Sequence, residues 1–111
     1  MEEFSSPDEI GSYSNMSEDF LSMIENARHI AKTSFVITSG FRTKSHNLRI
    51  NGNTFSSHLK GLAADIACDN GPKRIKIISG LILAGFKRIG IAKTFIHADT
   101  DGNKPNSIWL Y

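Results

Sequence analysis

Ser56-Ser57-His58-Leu59-Lys60-Gly61-Leu62-Ala63-Ala64-Asp65 is the stretch that decides how the rest of the chain is read. It holds a histidine and an aspartate, each beside small residues, with a glycine between them. A turn at Gly61 followed by extended chain would let both side chains reach one cation. Imidazole nitrogen and carboxylate oxygen form a donor set that zinc accepts, and a catalytic zinc takes three protein ligands and keeps a fourth position for water. The third ligand must come from elsewhere in the chain, and His97 is the candidate. The pattern points to a metal-dependent hydrolase. By spacing alone, though, the same three residues also read as ordinary turn and surface side chains.

Neighbouring segments add weight. Upstream stands Thr38-Ser39-Gly40-Phe41-Arg42, followed by His46-Asn47 and Asn51-Gly52; downstream stands Phe95-Ile96-His97-Ala98-Asp99. Together these resemble the zinc D-Ala-D-Ala carboxypeptidase and peptidoglycan endopeptidase family, whose fold is shared with the hedgehog signalling domain. Ser56, His58, Gly61, Ala63 and Asp65 match its S-x-H-x-x-G-x-A-x-D signature. Residues 38–42 are similar to its S-G-[YF]-R element, and residues 95–99 to its F-[VI]-H-x-D segment. The head, Phe4-Ser5-Ser6-Pro7-Asp8, is similar to the short leader of phage-encoded members.

The resemblance implies a fold, a site and an activity. The fold would be α+β, a small antiparallel sheet flanked by helices. The site would hold Zn2+ on His58, Asp65 and His97. Arg42 would stabilise the oxygen that gains charge during attack, or grip a substrate carboxylate through two donors. The substrate would be a peptide bond of the peptidoglycan stem or cross-link. Many family members carry an acid three residues before the last histidine, where it moves the proton; here that position is Thr94, which cannot. Asp99 shares a strand face with His97, so it is the candidate for the base or for a partner that orients the histidine. His46 is a further candidate for the wall of the site.

The remaining chain fits one small domain. Its 111 residues are 40% hydrophobic and 22% charged, with a net charge of +2, as in an ordinary globular protein. Residues 1–16, rich in Ser, Gly, Pro and Asp, read as an irregular leader with few apolar anchors, and residues 17–111 as the catalytic domain. Phe20, Leu21, Ile24, Ala27, Ile30 and Ala31 recur at helical spacing behind Ser17, a good N-cap. Phe35 to Thr38 reads as a buried strand, and residues 41–57 as a long polar loop of the kind that carries function. Leu62 to Cys68 reads as a strand that includes Asp65. Pro72 opens a second helix with an apolar stripe of Ile75, Ile78, Leu81 and Ile82, stopped at Gly85. Arg88 to Ala92, Phe95 to Ala98 and Ile108 to Tyr111 complete the strands.

Several classes of function recede. No apolar run is long enough to span a membrane. The basic side of the second helix, continuing into Lys87 and Arg88, reads as a solvated face, because so small a net charge leaves no footprint for nucleic acid. Cys68 lies in an apolar run and reads as core. Met1-Glu2-Glu3 is acidic where a signal peptide is basic, so a chain made in the cytoplasm would reach the wall only by outside delivery, in a virion or during lysis. A monomer is expected. Two rivals stand beside the peptidase: a zinc-binding module of this fold that binds wall peptide or a partner without catalysis, and a structural zinc closed by Cys68, His46 or His29.

Overall fold

Ser17 opens the first long helix by accepting a hydrogen bond on Oγ from the Phe20 N–H at 3.2 Å. Glu18 and Asp19 set negative charge on the first turn, where the dipole favours it. A computed structural model describes all residues, 1–111. In it this helix, α1, runs Glu18–Ala31 and ends where Lys32 turns left-handed at φ 53°. Phe20, Ile24, Ala27 and Ala31 are its buried face, as the periodicity predicts.

The other long helix, α3, runs Gly71–Leu83, with Asn70 capping the Lys73 N–H at 2.8 Å and Pro72 in its first turn. Its expected stripe needs correction. Ile77, Gly80 and Leu81 are buried, while Ile75 is 67% exposed and Ile82 faces solvent as well. The helix is apolar around most of its circumference, so periodicity cannot choose a face. Gly80 chooses it: a Cβ there would lie 2.6 Å from Ala27 O and 2.8 Å from Ala31 Cβ. The missing side chain lets α1 and α3 cross almost in backbone contact.

Five strands form one sheet in the order β1-β2-β4-β3-β5: β1 Ile37–Ser39, β2 Ala63–Ala67, β3 Arg88–Ile91, β4 Phe95–Asp99 and β5 Ser107–Leu110. The architecture is α+β as expected, and three of the four pairings are antiparallel. The exception is β5, which crosses to the far side of β3 and runs parallel to it. Side chains alternate across β2 and β4. Ala64, Ile66, Ile96 and Ala98 join the helices in a core with Phe4, Phe20, Ile24, Phe35, Ile77 and Leu81. Asp65, His97 and Asp99 point the other way.

Three further expectations change in detail. β1 is a three-residue edge strand; Phe35 precedes it in the core, and Val36 is exposed. The polar loop contains a short helix, α2, Lys44–Arg49, whose first turn is capped by Thr43 Oγ1 accepting from His46 N at 3.1 Å. With Leu48 exposed, α2 shows no apolar stripe for a sequence pattern to detect. Residues 1–16 form two 3-10 turns, Glu2–Phe4 and Ser12–Asn15, yet Phe4 and Met16 are buried in the core. Phe4 O accepts from Phe41 N at 2.7 Å, and Gly40 packs on the Phe4 backbone so closely that a Cβ would sit 2.6 Å from that oxygen.

Candidate metal centre

One register line crosses the whole sheet. Ser39 pairs with Asp65, Asp65 with His97, His97 with Gly90 and Gly90 with Trp109. Paired residues on adjacent strands face the same side, so residues far apart in sequence share one floor. His58 comes in from above on a 3-10 turn, Ser57–Lys60. Ser56 caps that turn by accepting from His58 N at 3.2 Å, and Gly61 stops it in the left-handed region at φ 69°. A Cβ at Gly61 would meet Asn15 O at 2.2 Å, so only glycine fits there. The turn at Gly61 and the extended run to Asp65 follow the sequence reading.

His58, Asp65 and His97 thus converge, each offering a ligand atom within 4.8 Å of the others. His58 Nδ1 lies 2.7 Å from Gly40 O. A carbonyl only accepts, so Nδ1 carries the proton and donates it, and Nε2 is left with its lone pair 3.4 Å from Asp65 Oδ1. The same carboxylate oxygen lies 2.8 Å from His97 Nδ1, while His97 Nε2 lies 2.7 Å from Asp99 Oδ2. Two imidazole nitrogens and one carboxylate oxygen this close together, with the far nitrogen of each imidazole held by a hydrogen bond, fit a divalent ion of the zinc type.

The charges are mutually dependent. Burial alone would raise the Asp65 carboxyl, but the two imidazoles beside it, His58 and His97, hold it well below the usual carboxylate range. Burial would likewise lower His97, and the two carboxylates on either side raise it instead. Asp99, its side chain only 1% exposed, is pulled below its ordinary value against the cost of burial by His97, the Asp101 N–H and Arg88. Arg88 Nε donates to Asp99 Oδ1 at 2.7 Å, and its guanidinium also donates to Pro105 O and lies 4.8 Å over the Trp109 ring.

The three residues sit at the bottom of a cleft of about 380 Å³. Arg42 lines it, as expected. Its Nε donates to Ser39 Oγ at 3.2 Å and its Nη1 faces Asn47 Oδ1 and Ser56 Oγ at 3.4 Å, which leaves Nη2, 3.7 Å from Asp65 Oδ2. His46 does not line the cleft; its neighbour Asn47 is the buried member of α2, and its Nδ2 donates to Asn53 O at 3.0 Å. Thr94 is exposed in the β3–β4 connection, His29 is exposed on α1, and Cys68 is buried in the core.

Sequence reasoning missed four cleft residues: Arg88, Lys104, Trp109 and Tyr111. Arg88, read as part of a solvated basic face, is instead largely buried against Asp99. Trp109 and Tyr111 were legible only as a closing strand. Trp109 lies on β5 and Tyr111 directly follows it, and their separation by one residue brings both to one side, where Gly90 makes room for them, since a Cβ there would lie 2.7 Å from Trp109 and 2.8 Å from Tyr111. The alternation was the available signal; its pairing with Gly90 was not.

No curated protein sequence matches the chain. A family model described as Peptidase M15 matches residues 5–99, which takes in most of the leader, Arg42 and all three converging side chains. M15 peptidases are zinc-dependent, and the His-Asp-His group is of the kind that binds such a metal. On this match across most of its length, the chain belongs to the Peptidase M15 family.

Proposed function

We propose that this protein is a zinc metallopeptidase that hydrolyses a peptide bond in the stem or cross-link peptides of peptidoglycan, with His58, Asp65 and His97 as the ligands. The observation that carries this reading is the convergence of those three side chains within 4.8 Å at the bottom of an open cleft. Zinc bound there would supply a Lewis acid for the scissile carbonyl and lower the pKa of a water toward about 7.

The chain's own residues have separable roles. Gly40 O accepts from His58 Nδ1 and so fixes Nε2 toward the site, and Asp99 Oδ2 accepts a hydrogen bond from His97 Nε2–H and so leaves Nδ1 to the metal. With both oxygens engaged and no exposure, Asp99 acts as a positioning residue. Arg42 Nη2, the guanidinium nitrogen without a close partner, is the donor available to a developing oxyanion or to a substrate carboxylate. Trp109 and Tyr111 form the opposite wall. The work of such an enzyme is at the cell wall, in a phage-like lytic role.

One observation favours a second reading. Asp65 and Asp99 are the only carboxylates lining the cleft, and Thr94 stands exposed where an acid would move the proton. A non-catalytic module that binds wall peptide through zinc would need no such acid. The deciding measurement is release of new amino groups from purified peptidoglycan by the zinc-loaded protein, with products identified by mass. Release that disappears in His97→Ala upholds the peptidase and names the bond. Stoichiometric zinc with no release from any wall type transfers the assignment to the binding module.

A further inference from the structure

His58 and His97 reach the site from different segments, a 3-10 turn and a strand, so something must fix the distance between them. The loop after β4 contains a residue in contact with the supports of both. Asp101 has a side chain only 1% exposed. Its carboxylate accepts from Ser57 Oγ at 2.8 Å and from Lys60 Nζ at 3.0 and 3.3 Å, and Ser57 and Lys60 bracket His58 on its turn. Lys104, in the same loop, donates to Ser57 Oγ at 2.9 Å and to Phe55 O at 2.8 Å. In the other direction, the Asp101 N–H donates to Asp99 Oδ1 at 3.1 Å, and Asp99 Oδ2 is the atom that holds His97 Nε2.

We propose that Asp101 is a positioning residue that sets the spacing of the two imidazoles, its carboxylate locating the turn of His58 and its N–H locating the Asp99 that orients His97. The inference rests on the reading of His58, Asp65 and His97 as metal ligands. A buried carboxylate is costly unless fully partnered, and this one is spent where the two halves of the site meet. Burial would raise its pKa, but Ser57 and Lys60 bring it down to about 2, so at neutral pH it is an ionised acceptor for all its partners. Because one contact runs through the side chain and the other through the backbone, substitution should affect the two histidines unequally.

The test compares Asp101→Ala with Asp8→Ala. Asp8 is another lowered carboxylate that ties two segments, through Thr43 and Arg49, without touching the supports of His58 or His97. Three readouts apply: zinc affinity by chelator competition, the visible absorption of the cobalt-substituted protein, and the imidazole nitrogen resonances of the metal-free protein. Asp101→Ala is expected to weaken zinc about tenfold, alter the cobalt bands and move the His58 resonances while those of His97 stay in place. Asp8→Ala is expected to leave all three unchanged. A folded Asp101→Ala that keeps wild-type zinc affinity, cobalt spectrum and His58 resonances, with only a lower Tm, overturns the proposal and makes Asp101 a loop staple. Should Asp101→Ala fail to fold, Ser57→Ala removes one contact of the same clamp, and a smaller shift at His58 alone upholds the proposal while none overturns it. If the wild-type protein binds no zinc, the peptidase reading fails by itself, and the His58 resonances of the metal-free variants still decide the role of Asp101.

Discussion

The two faces of β2 and β4 are made of alternating residues of the same strands, yet they obey different rules. On the helix side Ala64, Ile66, Ile96 and Ala98 make many weak, interchangeable contacts, and any one of them shares its load with the rest of the core. On the cleft side Asp65, His97 and Asp99 each have a few short, directed contacts with named atoms. Burial of such charged groups costs stability that is recovered only if every partner is present. The helix side therefore holds the fold, and the cleft side uses part of that stability to hold charge in place.

If this division is correct, damage on one face should leave the function of the other face readable. Ile66→Ala leaves a cavity at a fully buried position and is expected to cost about 2–5 kcal/mol of unfolding free energy. Denaturant unfolding measures it, and the folded variant should bind zinc as the wild type does; a parallel collapse of zinc affinity would break the comparison. Asp99→Asn is expected to weaken zinc about 10–100-fold, with a smaller effect on unfolding. A fall confined to kcat, with zinc binding untouched, would instead make Asp99 the proton-transfer base. Gly90→Ala is the mildest. The new methyl would meet the Trp109 ring, and because that ring lies on the edge strand and can swing outward, a cost of about 1 kcal/mol is expected. Its signature should be a change in Trp109 fluorescence and a raised KM, with zinc affinity unchanged.

How far the sequence could be read follows from how local each feature is. His58, Gly61 and Asp65 lie within one short stretch, so a shared site could be read there, and the resemblance to the peptidase family decided for it over ordinary turn and surface side chains. α1 was equally legible, because cap, charge and stripe all agree within it. α3 was legible as a helix but not in its orientation, since the contact of Gly80 with Ala27 and Ala31 joins two distant segments. The direction of β5, the insertion of Phe4 beneath Gly40 and the stacking of Trp109 over Gly90 are all long-range pairings of this kind. Arg88 was misread for a related reason: its partner Asp99 lies on another strand, and a basic run in sequence looks the same whether or not such a partner exists.

The position of each strand in the sheet also grades the site in time. The floor of the cleft, Asp65 and His97, lies on interior strands bonded on both sides, whereas Arg42 follows the short edge strand β1, and Trp109 and Tyr111 belong to the other edge. Edge strands open by local fluctuations that do not require global unfolding. Amide exchange should therefore be slowest at Ile96–Ala98 and faster along Ser107–Leu110. The charged floor would persist through openings that release the aromatic wall, so the cleft could widen around a bulky polymer without disturbing the groups beneath it.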